Sequence, residues 1–177
     1  MRFRASLASA ICFVLLTSAC TSLKQNYPSL PALAAIDCCW LIEERIELRT
    51  ETGHHIFSAA LAIEKDSHTL VLLDGIGSKV FVSQRRSDGI TVDADLSNGD
   101  IPARLLWTAI NLVHASGDDW PESDSPWHLR IGRHTRELRY AGEPWAVAHS
   151  HPDESASIDF PRRSLVLTTR TLARSVL

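Results

Sequence analysis

Histidine and carboxylate spacing is the first thing to weigh for chemistry. His149 and His151 stand two residues apart, with Asp153 and Glu154 close behind. On a strand both imidazoles can face one way, and such a pair helped by a carboxylate can ligate zinc. No third ligand is identifiable, and a polar strand end running into Pro152 accounts for the same residues. His54-His55 is a turn pair with less behind it. There is no Gly-x-Ser-x-Gly elbow, no phosphate-binding loop and no His-Glu-x-x-His helix. The expectation is therefore a protein that is not an enzyme, with no metal and no cofactor. Arg162-Arg163 after Pro161 reads as a solvated pair, or as one that meets anionic headgroups.

The cysteines say more. Met1-Arg2-Phe3-Arg4 carries two positive charges, and residues 5–19 carry none, with Ile11 to Leu16 as an apolar centre. A basic start followed by a short apolar run is the build of a secretory signal, and it falls short of the roughly 20 apolar residues that span a bilayer. The run ends in Leu16-Thr17-Ser18-Ala19-Cys20, which resembles a lipobox, with Thr17 where leucine is usual. That resemblance implies cleavage before Cys20 and lipid on its thiol, and two or more acyl chains give stable anchoring. Thr21 rather than Asp follows, which in such lipoproteins implies the outer membrane. The expected organisation is a signal peptide at 1–19, a lipidated cysteine and flexible tether at 20–37, and one domain at 38–177. As a loose coil the tether would average roughly 25 Å end to end. Cys12 leaves with the signal. Cys38 and Cys39 read as small buried residues at a strand entrance, with a redox or intermolecular role as the alternative.

Eighteen basic residues against 21 acidic ones give a net charge of −3, which excludes a nucleic-acid footprint. The length after the signal suits one domain able to bury its own core, and a monomer is expected.

Period-two alternation organises that domain. Ile42, Ile46 and Leu48 fall on one face against Glu43, Arg45, Glu47 and Arg49. Phe57, Ala59, Leu61 and Ile63 repeat the pattern, as do Ile90, Val92, Ala94 and Leu96 and then Trp127, Leu129 and Ile131. Leu138 and Tyr140 follow a turn at Gly132, and short strands fit 70–73, 79–84, 145–150 and 165–171. Residues 102–115 break the pattern: helix formers without glycine, Pro102 for the first turn and Asp100 as a cap. This helix is apolar most of the way round and must be covered. The fold predicted is mostly β (α+β): a strongly curved antiparallel sheet, an unclosed barrel, wrapping one apolar helix.

The segments at 70–81, 101–106 and 164–169, taken in order with the lipobox and the proline-containing tether, resemble LolB-like outer-membrane lipoproteins. They are most similar to an uncharacterised group of small LolB-like lipoproteins often encoded beside aryl-polyene and fatty-acid-type biosynthesis genes. The resemblance implies an unclosed barrel whose concave side, lidded by helix, holds the acyl chains of a lipid or acylated cargo. It also implies a periplasm-facing protein at the outer membrane that receives cargo from a periplasmic carrier. Inward residues that would line the cavity are Phe57, Leu61, Leu106, Trp107, Ile110, Trp127, Leu129 and Trp145, with simple core filling as the other reading. Ile76 sits between Gly75 and Gly77 where LolB-like proteins carry a protruding leucine, so it is the candidate membrane contact; folding back onto the sheet edge is its alternative. The competing functional class is a scaffolding lipoprotein that acts through a protein partner and has no cavity.

Overall fold

The computed structural model describes residues 36, 38–51, 53–94, 103–115 and 125–177. The signal, Cys20, nearly all of the tether, Asp100, Pro102 and the acidic loop before Ser125 lie outside the described residues. Ten strands and one helix are described: β1 (Trp40–Arg49), β2 (His54–Ile63), β3 (Ser67–Leu73), β4 (Lys79–Arg86), β5 (Gly89–Ala94), α1 (Ala103–His114), β6 (Trp127–Ile131), β7 (Thr135–Tyr140), β8 (Glu143–Ser150), β9 (Ser155–Phe160) and β10 (Leu165–Val176).

All ten strands form one antiparallel sheet in the order β5-β4-β3-β2-β1-β10-β9-β8-β7-β6. Each half is a meander, and β1 with β10 joins the halves through a long ladder from Trp40↔Val176 to Arg49↔Val166. The ends β5 and β6 stay unpaired with each other, so the expected unclosed barrel is what forms. Its curvature follows from α1, which touches β5 at one end of the order and β7 and β8 at the other. Strands β5 and β8 are seven spacings apart in the order, roughly 34 Å if the sheet were flat. Twelve helical residues span only roughly 18 Å, so the sheet must curl around the helix.

Inward-facing residues of every strand except β5 and α1 make one continuous core, including Ile46, Leu48, Leu61, Leu70, Leu72, Phe81, Leu138, Ile158, Phe160 and Leu167. Residues Leu105 to Leu112 of α1 are all buried, as the all-round apolar pattern requires. Thr108 Oγ1 donates to Arg104 O at 2.8 Å and Asn111 Nδ2 to Trp107 O at 2.8 Å, so two of its polar side chains bond back onto the helix itself. Arg136 of β7 donates to the carbonyls of Leu112 and Ala115 at 3.2 and 2.7 Å. That satisfies helix C-terminal carbonyls which have no partner within the helix.

Four details depart from the sequence reading. Strand β9 went unread because Ser-Ala-Ser-Ile-Asp-Phe has weak strand formers, although Ala156, Ile158 and Phe160 alternate inward. Strand β10 continues to Val176, past a register shift opposite Glu43 and Glu44. Val92 and Ile131, read as inward, are 44% and 45% exposed, because they lie on β5 and β6, the two edge strands. Cys38 is exposed rather than buried, and its sulfur is bonded to that of the half-buried Cys39.

Trp107 carries the helix-to-sheet packing, being fully buried and donating from Nε1 to Ser83 Oγ at 3.0 Å. Trp107→Ala is expected to lower unfolding free energy by about 3–5 kcal/mol, measured by urea denaturation. A loss below about 1 kcal/mol would show that the helix does not rest on this side chain.

Candidate functional site

Three ionisable residues occupy inward positions on strands whose neighbours are apolar. Glu44 lies between Ile42 and Ile46 on β1, His68 is in register with Leu70 and Leu72 on β3, and Arg85 follows Phe81 and Ser83 on β4. They are 2%, 3% and 4% exposed. His68 and Arg85 are directly opposed across the β3/β4 ladder. Helix α1 meets them with Trp107, Asn111 and His114, which share one helical face by their spacing. The result is a polar seam through an otherwise apolar helix–sheet contact.

At one end of the seam His114 Nε2 meets Glu44 Oε1 at 2.9 Å. At the other, Ser83 Oγ accepts from Trp107 Nε1 and donates to Thr91 O at 2.8 Å, so its hydroxyl is engaged on both sides. The His68 ring lies 6.4 Å from that of Trp107. Burial, then the positive field of Arg85 and then that of His114 push the His68 imidazole down to about 4. Burial also pulls the Arg85 guanidinium down to about 10, which leaves it charged at neutral pH. His68 Nδ1, Asn111 Oδ1 and Thr169 Oγ1 are buried without a hydrogen-bond partner among the described residues.

Beside the Glu44–His114 pair a narrow crevice runs between α1 and strands β1 and β10. Ile46, Leu106, Ala109, Ile110, Val113 and Leu167 give it apolar walls, and Glu44, His114 and Thr169 give it a polar end. Its free volume is about 10 Å³, the threshold for a single water. The apolar slot thus ends in an imidazole–carboxylate pair.

Two of the residues expected to line a cavity, Leu106 and Ile110, do line this crevice. Phe57, Leu61, Trp107, Trp127 and Trp145 are buried in the common core, and Leu129 packs partly buried against it. Trp127 stacks edge-on to Trp145 at 5.7 Å and lies 4.8 Å from Tyr140, an aromatic cluster spanning β6, β7 and β8. Ile76 is 89% exposed and does not fold back on the sheet. Asp74 Oδ1 accepts from the backbone N–H of Ile76 at 3.0 Å and of Ser78 at 2.8 Å, so the turn that presents it is braced from within. His149 and His151 are both exposed, and His151 Nε2 lies 3.2 Å from Ser157 Oγ. Among the described residues no group of three histidines, cysteines or carboxylates could hold a metal ion. Arg162 pairs with Glu143 at 3.3 Å. Cys20 lies outside the described residues.

Sequence reading missed Glu44, His68, Ser83, Arg85, Asn111 and His114. The signal was available for three of them: an ionisable residue in the inward register of an alternating strand.

A family model described as a protein of unknown function (DUF3261) matches residues 42–173, which runs from β1 to β10 and takes in the whole seam. No curated protein matches the chain.

The displaced imidazole has a consequence for stability. His68 stays neutral in the fold down to about 4, while in the unfolded chain it takes a proton near 6.5. Its contribution is therefore complete above about pH 6.5 and is lost as pH falls toward 4, by about 3 kcal/mol. Urea unfolding at about pH 7.5 and about pH 4.5 should show this loss, and His68→Gln should remove most of it. An unchanged pH dependence in the variant would assign the loss to other groups.

Proposed function

The chain belongs to the DUF3261 family, and we propose that it is a lipid-anchored envelope protein that takes an acyl chain between α1 and the concave sheet. In this reading the chain is exported, cut before Cys20 and held by lipid at the periplasmic face of the outer membrane. It receives a lipid or acylated protein, from a periplasmic carrier or the bilayer, and transfers or localises it there. The LolB-like order of segments supports this, and so does the unclosed barrel filled by a single apolar helix. The observation that carries it is the crevice, where Leu106 and Ile110 of α1 face Ile46 and Leu167 of the sheet beside Glu44 and His114. Opening it requires α1 to move away from β1 and β10, and it then offers apolar walls with a polar end for a headgroup or ester. Ile76 is the membrane contact of this reading, with Lys79 exposed beside it for anionic headgroups.

One observation favours a second reading. The interior is packed, with room for about one water at the crevice, as a scaffolding lipoprotein with a filled core would have.

Expression in the periplasm with Cys20→Ala, purification without detergent and native mass spectrometry separate the two. Retention of an acyl species at near-equal stoichiometry, or saturable uptake of a fluorescent fatty acid, is the expected result. A clean apo mass with no uptake turns the case to the scaffold. In the same unlipidated protein, Ile76→Asp should weaken association with vesicles by roughly tenfold, from the burial worth of one isoleucine side chain. Equal binding of the two proteins would remove Ile76 from the membrane contact.

A further inference from the structure

The convex face carries a second site, on the other side of the sheet from the crevice. Alternation puts Glu44 and Thr169 inside, and therefore Arg45 and Arg170 outside. The β1/β10 ladder places Arg45 directly opposite Arg170, and the next outward pair is Glu47 opposite Thr168. Ser155 on β9 stands directly across from Arg170 on its other side. Together with Asp153 these six residues line an open groove of about 350 Å³.

Like charges directly opposed on neighbouring strands destabilise a sheet, so the arginine pair calls for a counter-charge. Resident carboxylates supply only part of it. Arg45 Nε is 3.2 Å from Glu47 Oε1, but the same carboxylate also lies 3.7 Å from Arg49 and 3.4 Å from His54. Asp153 accepts from Ser155 Oγ at 2.6 Å, and that bond, with the field of Arg170, holds its carboxyl below the ordinary range, so it is ionised. The Arg170 guanidinium lines the groove without a hydrogen bond or ion pair among the described residues, while its backbone is held in the β1 and β9 ladders.

A simple anion in this groove would face two carboxylates, and a simple cation would face two guanidiniums. A zwitterion satisfies both. Two guanidiniums on adjacent strands match a tetrahedral anion, whose several oxygens can serve both, better than a carboxylate that one arginine fork saturates. Carboxylate acceptors in turn favour an ammonium that still has N–H donors over a quaternary one. We propose that the groove binds a small zwitterion joining a phosphate to a primary ammonium, with the phosphate on Arg45 and Arg170 and the ammonium on Glu47 and Asp153. Thr168 offers the phosphate a hydroxyl donor, while the Ser155 proton is held by Asp153. The same chemistry occurs in free phosphoethanolamine and in the headgroup of phosphatidylethanolamine. Ile56, exposed in the row of Glu47 and Thr168, and Val166, exposed opposite Arg49, are apolar neighbours on this face. They would rest on a bilayer in the headgroup case. The site does not depend on acyl uptake under α1.

Calorimetric titration of the Cys20→Ala protein with phosphoethanolamine, inorganic phosphate and ethanolamine tests the free form. Flotation with phosphatidylcholine vesicles, with and without phosphatidylethanolamine, tests the headgroup. The zwitterion is expected to bind at least roughly tenfold more tightly than either fragment, and Arg45→Ala and Arg170→Ala each to weaken it by about tenfold. Both arginines are exposed, so far-ultraviolet dichroism of the variants should match the parent. Backbone amide shifts on titration of the unsubstituted sheet should centre on Ser155 and on Thr168 to Arg170, which locates the site without any variant. Binding of the free compound assigns a soluble ligand. Binding confined to phosphatidylethanolamine vesicles, and lost in the same variants, assigns the headgroup. The proposal is overturned if phosphate alone binds as well, if binding survives both substitutions, if the shifts centre elsewhere, or if neither arm binds up to about 10 mM.

Discussion

A ten-stranded sheet that curls without closing leaves an apolar concave face that must be filled, and one helix fills it. Strand pairing sets the curl only loosely, because the two ends of the order, β5 and β6, share no hydrogen bonds. Helix α1 fixes it by touching β5, β7 and β8 together. Every residue from Leu105 to Leu112 is buried, so no face of the helix remains for solvent, and the sheet must supply cover nearly all the way round. The core is therefore a single body shared between helix and sheet, and moving the helix would disturb all of it.

Apolar packing alone would let such a helix slide or rotate, since leucines and alanines are interchangeable contacts. The polar seam removes that freedom. Trp107 Nε1 must reach Ser83 and His114 must reach Glu44, two directional bonds seven residues apart, which fixes axial position and rotation together. Buried ionisable groups carry a desolvation penalty that their pairing need not offset. Here the penalty is visible in the imidazole held neutral at His68 and in the buried guanidinium at Arg85. The seam is best understood as specifying where the helix sits, with packing providing the stability.

The architecture was legible because alternation survives wherever a strand has one wet and one dry face. Strands β1, β2 and β6 declare themselves by period two and α1 by its glycine-free, largely apolar run, while β8, with Trp145 and Ala146 both buried, reads only as a short strand. Strand β9 hid because its outward residues are serine and aspartate and one of its inward residues is only alanine. The β10 extension hid because Leu172 to Val176 lie at and past a register shift and are exposed, so no alternation marks them. The seam was harder to see for a different reason. Glu44 sits in a run of three charged residues, Glu43 to Arg45, and reads as solvated until the alternation is followed strictly through Ile42, Ile46 and Leu48. His68 and Arg85 lie at strand starts and ends, where polar residues are ordinary. What a linear reading lacks is the partner: His114 stands 70 residues from Glu44, and only the curl of the sheet brings them together.

The strand directions add one geometric constraint on any membrane role. Backbone pairing of Leu177 N–H with Cys39 O puts the chain's entry and exit at one end of the barrel. The ladders Arg49↔His54, Arg49↔Val166 and Ser58↔Leu73 put the β1–β2, β9–β10 and β3–β4 turns, and so Ile76, at the other. Those ends are separated by the length of β1, ten residues or roughly 33 Å. On the lipid-anchored reading proposed above, residues 20–37 would have to bridge that length for Cys20 and Ile76 to engage one bilayer. Eighteen residues can extend to about 60 Å, so the length suffices, with slack for the domain to reorient. On that same reading, a connection of that length would let the domain meet a bilayer by its Ile76 tip or by its convex face, so the contacts proposed at Ile76 and at the Arg45–Arg170 groove would be alternative poses.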